Sequence, residues 1–261
     1  MKKFQKKIIG ILFSLVIIAI LAIFLAFENA KNSVIVLNYH QINDKDKNAL
    51  TVTVKDFEDQ MQYLSENGFT TITPKEMTEA FKNNEKLPQK SVIIAFDDGY
   101  QDNYDNAYPI LKKYGFSATV FVITGFVGKS GYLTWDEIRE MQEGGVTFAS
   151  HTVSHKSMTD LTDNELKKEL VDSKAKLEEE LKSHVEFMAY PTGTYNLHIA
   201  QIVKDAGYKA AFTIKYGNVD KASNIYALER VPIFHTEETN KDFIERIRYQ
   251  PIFESFGWMK N

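Results

Sequence analysis

Val92-Ile93-Ile94-Ala95-Phe96-Asp97-Asp98-Gly99 is an unbroken apolar run that ends abruptly in two carboxylates and a glycine. A continuous rather than alternating run reads as a strand buried on both faces, as in a parallel sheet. A second run, Val146-Thr147-Phe148-Ala149-Ser150, ends in His151-Thr152-Val153-Ser154-His155. In a parallel barrel the C-terminal ends of all strands open on one face, where catalytic groups gather. The two polar endings are therefore expected to meet.

Working outward, short apolar runs alternate with amphipathic stretches. The expected strands are 34–39, 70–72, 92–96, 118–123, 146–149, 187–190, 210–214 and 227–233. Thr73-Pro74-Lys75-Glu76, Thr134-Trp135-Asp136-Glu137 and Thr162-Asp163-Asn164-Glu165 are capping-box starts of helices. The last opens a long charged helix to about Lys182, with Leu166, Leu170, Leu177 and Leu181 as its buried stripe. Gly68, Gly115, Gly145 and Gly207 fall where helices should end. The pattern predicts an α/β fold, a single distorted (β/α) barrel of seven to eight repeats. An open doubly wound sheet is the alternative. No Gly-x-Gly-x-x-Gly or Walker-type loop supports nucleotide binding.

Read in order, the strand ends carry Asn38-Tyr39-His40, Asp97-Asp98, His151 with His155, and Tyr190-Pro191-Thr192-Gly193. Asp98, His151 and His155 form a nitrogen-and-oxygen ligand set that suits zinc, although ferrous two-histidine, one-carboxylate sites use the same ligand types. Asp97, diverging from its neighbour, is placed to take a proton from a water whose pKa the cation lowers. Alone, Asp-Asp-Gly is most often a turn, and His-x-x-x-His occurs by chance on many helices. The ordered combination is what carries the reading.

These residues resemble a known family. Ala95-Phe96-Asp97-Asp98-Gly99, the His151–His155 stretch and Ala189-Tyr190-Pro191-Thr192-Gly193 resemble the first three motifs of the polysaccharide deacetylases (NodB-homology, carbohydrate esterase 4). Trp135 and Leu161-Thr162-Asp163 fit the surrounding phrases, and the likeness runs from about Val34 to Val231. The resemblance implies a metal-dependent hydrolase removing acetyl groups from N-acetylglucosamine units of a polysaccharide. It makes Asp97 the general base and Asp98, His151 and His155 the metal ligands, and gives the Thr192 N–H to the oxyanion. Two departures stand out. Ala189 replaces the arginine that usually braces the base, and Thr192 replaces a tyrosine. The usual late acid motif is only approximated by Ile233-Phe234-His235. Leu37-Asn38-Tyr39-His40, ahead of the aspartates, is similar to the permuted branch of biofilm poly-β-1,6-N-acetylglucosamine deacetylases. That likeness makes His40 the expected acid, with His235 the alternative. Tyr39, Tyr190 and Trp135 are expected to line the substrate pocket; His184 and His198 are expected at the surface. The polymer is expected to be poly-β-1,6-N-acetylglucosamine. Peptidoglycan or chitin-like N-deacetylation, O-acetyl ester cleavage and glycan binding without turnover are the alternatives.

The N-terminus is a separate unit. Residues 1–7 are basic, Ile8 to Phe27 carries no charge, and 28–33 is a polar linker to the domain at 34–261. At about 1.5 Å per residue the apolar run spans roughly 30 Å, a bilayer's hydrocarbon core. It reads as a transmembrane helix with the domain outside. A cleaved signal is the rival, giving a secreted protein, but its best site, after Ala30, has Glu28 two residues earlier. Without Lys2, Lys3, Lys6 and Lys7, 27 of the 31 Lys and Arg remain against 35 Asp and Glu, a balance of −8 that argues against nucleic acid as a partner. With no cysteine, a disulfide framework, thiolate ligands and a cysteine nucleophile are excluded.

Overall fold

The computed structural model describes residues 33–248, together with residues 9, 11, 13–18, 20 and 21. Half of Ile8–Phe27 thus lies outside the described residues, as does the aromatic-rich stretch 249–261. Among the described residues no helix is long and apolar enough to cross a membrane.

All eight expected strand regions carry strands, and seven of them close a parallel ring. These are β1 (Ile35–Tyr39), β5 (Ser91–Asp98), β6 (Thr119–Val122), β7 (Thr147–Ser150), β8 (Phe187–Ala189), β9 (Ala210–Tyr216) and β10 (Leu228–Pro232). Pairing of Ile35–Tyr39 with Val92–Phe96 closes the barrel and removes the open-sheet alternative. The eighth, β4 (Thr70–Thr71), only lies beside the first two residues of β5, so the repeat count settles at seven. A two-residue pair, β2 (Gln41–Ile42) with β3 (Thr51–Val52), was not legible in the sequence.

The helices form the outer layer: α1 (Val54–Glu66), α2 (Pro74–Asn83), α3 (Tyr108–Tyr114), α4 (Trp135–Glu143), α5 (Asp163–Leu181), α6 (Leu197–Asp205) and α7 (Thr239–Arg248). Thr73, Thr134 and Thr162 close complete capping boxes, each with a glutamate returning to the cap. The four expected cap glycines all have left-handed backbone, with φ of +70° at Gly68, +67° at Gly115, +93° at Gly145 and +83° at Gly207.

Strand alternation sorts the core into two sets and decides which side chains can reach the barrel axis. Val36, Ile93, Ala95, Phe121, Ala149, Ala189, Phe212 and Leu228 pack together inside the ring. Leu37, Tyr39, Val92, Ile94, Phe96, Met188, Tyr190 and Val231 pack outward with the helices. By the same period, Asn38, Asp97 and Arg230 fall on the inward side.

Candidate active site

At the mouth of the barrel, β5 delivers both aspartates, but not in the same sense. Asp97 continues the inward alternation of Ile93 and Ala95. Asp98 takes a left-handed φ of +76°, which breaks the alternation and turns its carboxylate towards β7. There Asp98 Oδ1 lies 3.5 Å from His151 Nε2 and 3.4 Å from His155 Nε2. One ligand atom from each of the three residues lies within 4.8 Å of the other two. Asp98 Oδ1 is buried with no hydrogen-bond partner. A buried anionic oxygen facing two imidazole nitrogens at that range fits a divalent cation.

The histidines are prepared for this role. His151 Nδ1 lies 2.8 Å from the Ala189 carbonyl, which can only accept. The proton therefore sits on Nδ1 and the Nε2 lone pair faces Asp98. Burial pushes the His151 imidazole down to about 4, against the opposing pull of Asp97, so the ring is neutral at pH 7. Burial, then the neighbouring Asp97 charge, raises the Asp98 carboxyl. Such a carboxylate gains from a cation.

The loop carrying the histidines is strained and held from outside. Thr152 and His155 have φ of +64° and +58°, each costing on the order of 1–3 kcal/mol for a non-glycine residue. Glu169 on α5 accepts from the Val153 and Ser154 amides, both at 2.8 Å, and from Ser154 Oγ at 2.6 Å. Thr152 Oγ1 accepts from the His155 amide at 3.2 Å.

Asp97 is also fully buried, yet it is charged. Burial acts to raise its carboxyl, but the Arg230 guanidinium, with His151 and His40 adding to it, holds it well below the usual carboxylate range. Arg230 donates from both terminal nitrogens to the two Asp97 oxygens at 2.7 Å each. It is itself fixed by Nε donating to the Thr213 carbonyl at 2.7 Å and Nη1 donating to Asn38 Oδ1 at 3.1 Å. The brace that Ala189 lacks is thus supplied from β10, two strands from β5 with β1 between them. Sequence reading missed it, although a charged residue at an inward position of the strand Leu228–Pro232 was the signal.

His40 follows β1 at the same mouth and is mostly buried. It comes directly after Tyr39, which pairs with Phe96, the residue before Asp97; burial lowers its imidazole, while the charges of Asp97 and Asp98 pull the other way. His235 is exposed beyond β10, its amide donating to the Ala49 carbonyl at 2.9 Å. Thr192 stands exposed on the turn after β8 with φ +56°, and Thr194 Oγ1 in that turn meets Ser157 Oγ at 3.2 Å beside the histidine loop.

Three expected pocket residues are placed elsewhere. Tyr39 points outward from β1, packed on Phe57 and Phe96 with its hydroxyl donating to Gln60 at 2.7 Å. Tyr190, outward for the same reason of alternation, stacks on Tyr195 and donates to the Tyr226 carbonyl at 2.9 Å. Both are fully buried and have no ring face for a sugar. Trp135 packs in the helical layer, with Lys176 Nζ 5.6 Å above its ring. An unforeseen aromatic, Tyr100, lies two residues after Asp98 and stacks on Tyr132, the ring centroids 5.2 Å apart. His184 and His198 are exposed, as expected.

Comparison with known proteins agrees with this arrangement. The family model described as polysaccharide deacetylase matches residues 84–211. YxkH of Bacillus subtilis (strain 168), named as a candidate polysaccharide deacetylase, is 37% identical over 198 residues, covering 76% of this chain and 70% of its own length. The poly-beta-1,6-N-acetyl-D-glucosamine N-deacetylase of Staphylococcus aureus (strain MRSA252) is 31% identical over 78% of this chain and 79% of its own. Among solved structures, the Streptococcus pyogenes deacetylase PplD in complex with acetate superposes with a TM-score of 0.78 at 31% identity, covering 83% of this chain and 98% of the other. A parallel seven-stranded barrel with paired aspartates and two histidines at its mouth defines a hydrolase of the deacetylase class. The chain belongs to the polysaccharide deacetylase family, and it is an enzyme of that kind.

Proposed function

We propose that this protein is a metal-dependent N-deacetylase that removes acetyl groups from N-acetylglucosamine units of an extracellular polysaccharide, with zinc at Asp98, His151 and His155. The observation that carries the proposal is the juxtaposition at one mouth of that ligand set with a base held ionised by Arg230. A bound divalent cation would polarise the acetamide carbonyl and lower the pKa of a water at the site. Asp97 takes the proton from the attacking water. The Thr192 N–H helps hold the oxyanion, and His40 gives a proton to the nitrogen as the C–N bond breaks. Acetate and a free glucosamine amine leave. His40 is preferred to His235 because it follows the strand that pairs with β5 up to the residue before Asp97, while His235 is exposed.

Poly-β-1,6-N-acetylglucosamine is the proposed polymer. The position of His40 ahead of the aspartates and the named activity of the S. aureus relatives support it. The domain is proposed to stand outside the membrane on an anchor formed by Ile8–Phe27. Glycan binding without turnover, argued from the arginine lacking at position 189, loses that ground because Arg230 braces the base.

Acetate release from β-1,6-linked N-acetylglucosamine oligomers, β-1,4-linked oligomers, peptidoglycan fragments and acetylxylan tests the proposal. Release from the β-1,6 oligomers well above the others is expected. Preference for either β-1,4 substrate keeps the chemistry and moves the polymer, preference for acetylxylan makes the enzyme an esterase, and no release from any of them overturns the proposal.

A further inference from the structure

His40 is the single residue between β1 and β2, at the point where the chain leaves the barrel. Its Nδ1 is buried with no hydrogen-bond partner, so ring contacts of that kind do not set its position. What does hold it is the backbone on either side. The chain that follows the metal strand enters α3 through a π-helical turn, Asn103–Ala107, in which the Tyr108 amide bonds back to the Asn103 carbonyl. Polar side chains of this segment converge on residues 40–43. Asn103 Nδ2, wholly buried, donates to the His40 carbonyl at 2.9 Å. Asn106 Nδ2 donates to the Ile42 carbonyl at 2.7 Å. Asp102 accepts from Asn43 Nδ2 at 2.7 Å. From the other side, the Gln41 and Asn43 amides donate to the carbonyls of Leu50 and Val52.

We infer that the π turn is a clamp that positions His40, with Asn103 and Asn106 as positioning residues that act through it. π turns are rare and are found frequently at functional sites. Here the extra residue lies between Asp98 and α3, and its neighbours tie the strand that carries the ligand and the base to the segment that carries the acid. The clamp thereby sets the separation between the two ends of the proton path, and misplacement by about 1 Å can cost on the order of 100-fold in rate. The inference rests on His40 being the acid of the proposed reaction.

The test uses the full-length zinc protein with Asn103→Ala and Asn106→Ala, each also combined with His40→Ala. Asn106 is only partly buried, so its variant carries the test if Asn103→Ala does not fold. Amide exchange at Gln41–Asn43 should quicken at least tenfold in either single variant while β5 and β7 stay protected. Unchanged exchange overturns the clamp. With substrate, kcat should fall about tenfold or more with KM and zinc affinity unchanged, and no further fall should appear on the His40→Ala background. An additive loss on that background, or full activity of both single variants, overturns positioning through His40 while leaving the deacetylase reading intact. A wild-type protein that releases no acetate removes that reading, and the clamp's role in catalysis with it.

Discussion

Asp97 sits wholly inside the barrel, where a lone carboxylate would take up a proton; the two hydrogen bonds from Arg230 keep it charged. Breaking a buried pair by deleting one partner costs about 3–5 kcal/mol, because the survivor is left buried and unpaired. Arg230→Leu should therefore lower stability by about that much in denaturant unfolding and remove most of kcat. Retained kcat would show that the base needs no brace. The pair also has a pH signature. The Asp97 carboxyl is lower in the folded chain than the roughly 3.9 of an unfolded one. Its contribution is therefore complete above about pH 4 and is lost as pH falls below that, where the unfolded chain binds the proton first. With metal chelated, wild type should lose stability more steeply than Asp97→Asn between pH 5 and pH 3. Asp98, whose carboxyl is raised by burial and by the Asp97 charge, acts in the opposite sense and would differ between the two, so the comparison is made with Asp98→Asn in both proteins. Equal slopes would mean that Asp97 is protonated in the fold.

Between elements, two devices hold the site: an arginine reaching in from β10 and a glutamate reaching over from α5. Glu169 accepts three hydrogen bonds from the loop between the histidines. Glu169→Gln turns one acceptor oxygen into a donor and should weaken zinc binding about 10- to 100-fold in a competitive chelator titration. Unchanged affinity would assign the loop's shape to its own backbone. The arginine invites a transplant. Ala189 and Arg230 both lie on the inward side of the ring, so Ala189→Arg should recover part of the activity lost in Arg230→Ala; a double variant no better than the single would show that only the β10 approach aligns the base. The strands were legible because runs such as Val92–Phe96 are continuous, and the ligands because each run ends in them. Arg230 was not, because a charge inside Ala227–Ile233, next to Glu229 of opposite sign, does not say which residue it meets. Glu169 lies on a helix with many other carboxylates and has no local signal. Tyr39 and Tyr190 do not line the pocket because they take the outward positions of their strand ends, which the helices cover.

At the scale of the whole molecule, the barrel brings residues from position 38 to position 230 to one mouth, so metal, fold and catalysis should be linked. A ligand that binds only the folded state adds about 2.7 kcal/mol at 100 times its Kd. The central claim is that this mouth hydrolyses an amide with a cation on Asp98, His151 and His155 and with Asp97 as base. The most direct test is acetate release from β-1,6-linked N-acetylglucosamine oligomers by full-length protein, first stripped with chelator and then titrated with zinc, alongside Asp97→Asn. The account predicts no release from the stripped protein, recovery that saturates at one zinc per chain, and a loss of at least a hundredfold in Asp97→Asn that still binds zinc. Undiminished release after stripping, or an Asp97→Asn variant as active as wild type, would contradict it.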